Sequence, residues 1–131
     1  MSSLISVLAE EHGVLETALD RLAEIIASRR IDTDTFQQVS QLIAGHYLRQ
    51  EKFLVQLHVH EPGLADKLRA QHEEALEIGA CLAESLAAAE AADVAYLARR
   101  FLAIAQHNII EEARDVFPLA KRFFTAEEDE P

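Results

Sequence analysis

The chain has 131 residues, a formal net charge of −11 and one cysteine. That length suits a single domain with a full core, and the acidic balance argues against nucleic acid or anionic lipid as partners. A lone cysteine excludes an intrachain disulfide and fits a reducing compartment.

Four glycines and three prolines leave little punctuation, which favours a few long helices over many short strands. Nothing at Met1-Ser2-Ser3-Leu4 resembles a secretory signal, and no apolar run approaches the ~20 residues of a bilayer span. The expected location is therefore cytoplasmic, with no membrane contact.

Residues 3–29 read as a first helix, with Ser3 as cap and Ile5, Leu8, His12, Leu15, Leu19, Leu22 and Ile26 in a 3–4 alternation. Asp32, Thr33 and Asp34 supply a turn and an N-cap. The second helix then runs to about His58, with Phe36, Val39, Ile43, His46, Gln50, Phe53 and Leu57 on its seam. His58 and His60 fall in a short connection and are expected to face solvent. A third helix over about 62–90 carries Leu68, His72, Ala75, Gly79, Leu82 and Leu86 inward, and Cys81 is expected to be a small core residue. Asp93 is read as the cap of a fourth helix, where Leu97, Phe101, Ile104, His107 and Glu111 keep the same spacing. Pro118 should kink or end that helix near its last turn. The expected fold is all-α, an up-down-up-down four-helix bundle over 1–124, followed by an acidic frayed tail over 125–131.

One histidine per helix lies among aliphatics, and at ~1.5 Å rise per residue all four fall ~14–18 Å from the same end of the bundle. The two hairpins also repeat each other: His12 and His46 are 34 residues apart, His72 and His107 are 35. Gln50 and Glu51 follow His46, as Glu111 and Glu112 follow His107, and residues four apart share a helix face. Buried polar groups cost a few kcal/mol each unless satisfied. Imidazoles and a carboxylate converging in a dry core suit a borderline transition metal such as iron, manganese or zinc. Glu16 is read as a solvated edge charge, and Tyr47 as a packing residue close to the site.

These residues resemble the hemerythrin-like family of HHE cation-binding domains, over about residues 4–124. The carriers are His107-Asn108-Ile109-Ile110-Glu111-Glu112 followed by Val116-Phe117-Pro118-Leu119, similar to the family's H-x3-E-E with a Phe-Pro a few residues on. Glu10-Glu11-His12, His46-Tyr47-Leu48-Arg49 and Gln71-His72-Glu73 match its other three segments. The resemblance implies a left-handed bundle around an oxo- or hydroxo-bridged, non-haem di-iron centre, with one iron keeping an open position. It carries His12, His46, His72, His107 and Glu111 over as metal ligands. Two positions depart from the pattern. Gln50 stands where the family has Glu four residues after the histidine, so Glu51 is a candidate replacement ligand. Leu68 stands where oxygen-storing members have a further histidine. A mononuclear, asymmetric, water-completed or zinc-substituted site stays open.

The expected function is binding of a small diatomic ligand, oxygen or nitric oxide, at the open iron position, for binding, sensing or storage. Leu8, Leu15, Ile43, Phe53, Leu76, Phe101 and Ile104 would form its apolar walls. No catalytic residue, general acid–base pair or substrate cleft is legible. The alternatives are a di-iron oxidase or peroxidase drawing on Glu51 and Tyr47, or a metal-binding interaction module without turnover.

Overall fold

The computed structural model describes residues 3–131. Helices α1 (Leu4–Ala27), α2 (Thr33–His60), α3 (Pro62–Ala87) and α4 (Ala91–Glu111) are followed by a π-helical turn (Glu112–Val116) and a short α5 (Phe117–Phe123). Among the described residues there is no strand. Each long helix packs on the next and α1 closes on α4, which is the expected up-down-up-down ring. No described helix is long and apolar enough to cross a membrane.

The helix ends follow from local chemistry. Ser3 and Ser6 form a capping box at α1, and Asp32 Oδ1 accepts from the Thr35 amide at 2.7 Å to start α2. Pro62 sits in the first turn of α3, where its missing N–H costs nothing. α1 and α3 stop in the same way, with a left-handed residue, Arg29 (φ 59°) and Ala89 (φ 56°), after the last turn. The Arg30 amide then donates to Ile25 and the Glu90 amide to Ser85, satisfying carbonyls the helix end would leave open. Asp93, expected as the α4 cap, lies inside its first turn instead.

The interior has two apolar halves. One, at the end carrying the α1–α2 and α3–α4 turns, joins Leu15, Leu19, Leu22, Phe36, Ile43, Leu82, Phe101 and Ile109. The other, at the end carrying the chain termini, joins Ile5, Leu8, Phe53, Leu57, Leu68, Val116 and Phe117. His12, His46, Gln50, His72, Asn108 and Glu112 are buried too, and in each helix they fall between residues of the two halves. A polar layer thus divides two greasy ones.

Four expectations need correction. The seam of α4 is Ala98, Phe101, Ala105, Asn108 and Glu112, one residue on from the expected Leu97, Ile104 and His107, while Glu111 is buried as expected but beside that seam. The reason lies in how closely α3 and α4 approach. A Cβ built on Gly79 would come 3.1 Å from the Phe101 ring, so α3 is small where Phe101 enters. The buried positions on either side of Phe101 are the small Ala98 and Ala105, and the larger Leu97 and Ile104 flank the contact. Secondly, of the two outcomes expected at Pro118, a kink or an end, the helix does not end there but is interrupted just before it. The wide turn before it, where the Phe117 amide donates five residues back to Glu112, absorbs the missing N–H and the ring, and the chain continues to Phe123. Thirdly, the acidic tail is not frayed. Asp129 accepts from the Leu4 and Ile5 amides at 2.7 and 2.9 Å, Glu128 meets His60 at 2.9 Å, and Lys52 donates to the Pro131 carbonyl. Lastly, Cys81 and Leu76 are exposed rather than core or wall residues.

Candidate metal centre

Glu112 is the hub of the polar layer and is fully buried. A carboxylate only accepts, so the imidazoles beside it donate: His12 Nε2 to Oε1 at 3.0 Å and His72 Nε2 to Oε2 at 2.9 Å. Burial alone would raise the Glu112 carboxyl, but the hydrogen bonds from the surrounding imidazoles outweigh it and hold the group below the usual carboxylate range. An ionised acid therefore stands in the dry core.

His46 approaches the same oxygen differently. Its Nδ1 donates to Glu11 Oε1 at 2.8 Å, and Arg49 braces the other Glu11 oxygen. Gly45 leaves room for that guanidinium, since a Cβ there would lie 3.2 Å from Arg49 Nη1. With its proton on Nδ1, the ring turns the lone pair of Nε2 inward. This nitrogen is buried without a hydrogen-bond partner, 4.0 Å from Glu112 Oε1. In that tautomer a nitrogen lone pair faces a carboxylate oxygen, an arrangement that a cation would satisfy. His12, His46 and Glu112 each offer a donor atom within 4.8 Å of the others.

The surroundings fix these groups. The Tyr47 ring lies flat on His72, centroids 3.8 Å apart and planes 8° apart. Burial, and then the Glu112 charge, push the Tyr47 phenol up, so it keeps its proton. The His12 ring sits 5.0 Å from that of Phe117, the residue that follows the π turn. A cleft of about 340 Å³ beside His12, lined by Gly13, Glu16, Phe117 and Lys121 among others, reaches the edge of the centre.

Of the residues singled out from sequence, the structure brings His12, His46 and His72 together. Glu51 is exposed and pairs with Arg69 at 2.8 Å. His107 is 63 % exposed, on the outer side of α4. Glu111 lies at the margin of the layer and faces Lys67 (3.2 Å), His107 (3.3 Å) and Gln71 (3.5 Å). One residue along a helix is a rotation of about 100°, which is why Glu112 rather than Glu111 points inward. The residues missed were Glu112 as the central acid and Glu11 as the partner of His46. The alanines at 98 and 105 were the available signal for Glu112, because they mark the close face of α4.

The sequence profile described as the hemerythrin HHE cation binding domain matches residues 3–120. The chain belongs to the hemerythrin family. Comparisons with curated proteins and with solved structures give no match. In this hemerythrin domain the donors available to a cation are two or three imidazoles and one carboxylate, with no thiolate among them. Such a nitrogen and oxygen set fits iron, manganese or zinc.

Proposed function

We propose that this hemerythrin domain is a metal-dependent binding protein that holds iron at the Glu112 layer and takes a small diatomic ligand, oxygen or nitric oxide. The observation that carries this reading is the unpartnered His46 Nε2 facing Glu112 Oε1 beside His12. Iron held there would supply an open coordination position for the diatomic molecule.

The chain's own residues do the rest. Glu11 keeps the His46 proton on Nδ1 and so keeps Nε2 free to ligate. Glu112 contributes negative charge that balances a cation in a low-dielectric interior. The two apolar halves restrict water on either side of the layer. The cleft beside His12 gives a small molecule a short path from solvent.

The test is metal analysis of freshly isolated protein, with absorption spectra recorded under argon, air and nitric oxide. Stoichiometric iron and a spectrum that changes reversibly with either gas are expected. Protein isolated without iron, and failing to take it up, would refute the proposal. Steady consumption of oxygen or peroxide would assign the site to an enzyme instead.

A further inference from the structure

Glu112 has two unlike sides. Oε1 looks toward His12 and His46, whose donor atoms cluster with it within 4.8 Å. Oε2 looks toward His72 alone, 2.9 Å away. A second cation on the Oε2 side would need further donors there. One turn before His72 stands Leu68, fully buried in apolar packing. His107 lies outside. Gln50 is fully buried with both its amide oxygen and its amide nitrogen unpartnered; the oxygen is a donor, but a neutral one that does nothing to offset a second positive charge in a dry core. Meanwhile the stacked Tyr47 ring fixes the plane of His72, whose Nε2 already has a partner in Oε2.

We infer that the centre takes a single metal ion, bound by His12 Nε2, His46 Nε2 and Glu112 Oε1, and that His72 is a positioning residue donating to Glu112 Oε2 rather than a ligand. The inference rests on the metal-binding reading above and specifies the number and place of the ion. His12 Nδ1 is buried without a partner, so it is free to carry the proton that Nε2 gives up when it ligates. His72 keeps its proton on Nε2 and holds the acid in the orientation the other two donors require.

The experiment reloads the metal-stripped full chain with excess Co(II) without air, removes unbound metal, and measures ions per chain together with the electron paramagnetic resonance signal of the half-integer-spin ion. One ion per chain with the full signal of an isolated ion is expected. Two ions per chain with a signal diminished by coupling would overturn the inference while leaving the metal-binding reading intact; no bound ion would overturn both. In parallel, His72→Gln retains an N–H donor. It should keep one ion and an unchanged Co(II) absorption spectrum, with affinity falling no more than ~10–100-fold. His72→Leu, lacking the donor, should bind more weakly than His72→Gln. A His72→Gln variant with an altered Co(II) spectrum, or with the ion lost altogether, would make His72 a ligand and defeat the inference.

Discussion

Two neighbouring acids at the end of α4 live in different worlds. Glu112 lies in the dry layer against His12 and His72, whereas Glu111 sits at the margin against Lys67, Gln71 and His107. The inner group consists of short-range contacts among buried side chains, whereas in the outer group a buried Glu111 meets exposed Lys67 and His107 at 3.2 and 3.3 Å. Screening and side-chain entropy leave the outer contacts worth little, while removing one partner from the inner set strands the others away from water.

The sharpest way to break this contrast is Glu112→Ala. It should abolish metal uptake by elemental analysis and lower stability by ~3–5 kcal/mol in urea denaturation, as expected when a buried charged partner is removed. Next comes Glu11→Ala, which leaves His46 Nδ1 without its acceptor; calorimetric titration with Co(II) should show an affinity ~10–100-fold weaker. Gly79→Ala tests the packing that turns His107 outward. The new methyl would press on Phe101 at 3.1 Å, and Phe101 is buried against Phe36 with little room to give. Overpacking of ~1–3 kcal/mol, offset by ~1 kcal/mol of helix propensity, leaves a small net loss by thermal or urea unfolding. The smallest effects belong to the outer group. Glu111→Ala and His107→Ala should leave metal content unchanged and shift stability by no more than ~1 kcal/mol. Loss of metal in either variant would erase the distinction between inner and outer acids.

How far the sequence disclosed all this differs from helix to helix. In α1 and α2 the seams carry leucines, phenylalanines and isoleucines at regular spacing, and in α3 Leu68, Ala75, Gly79 and Leu82 keep the same spacing, so the periodic signal and the true interior coincide, and His12, His46 and His72 fall where expected. In α4 the interior positions are Ala98 and Ala105, whose small size answers the close approach of α3. A reading by hydrophobic bulk prefers Leu97 and Ile104 and is displaced by one residue, carrying His107 and Glu111 with it. The role of Glu11 was illegible for another reason. It depends on the α1–α2 packing that sets a carboxylate against a ring 35 residues away, a separation no local pattern encodes. The tail misled because its composition is that of a solvated segment; its anchoring comes from Asp129 meeting the open amides at the start of α1.

The wide turn at Glu112–Val116 has a consequence for reading related chains. Glu112 and Phe117 are five residues apart, yet both are buried, because a π turn takes about one residue more per revolution than its α counterpart. Upstream and downstream segments of what looks like one continuous helix therefore run in different phases. A chain that omits one residue between them presents the same acid and the same aromatic plug from an ordinary α-helix. Matching the two chains demands a gap in the middle of a helix, and a fixed count from histidine to Phe-Pro picks the wrong partner.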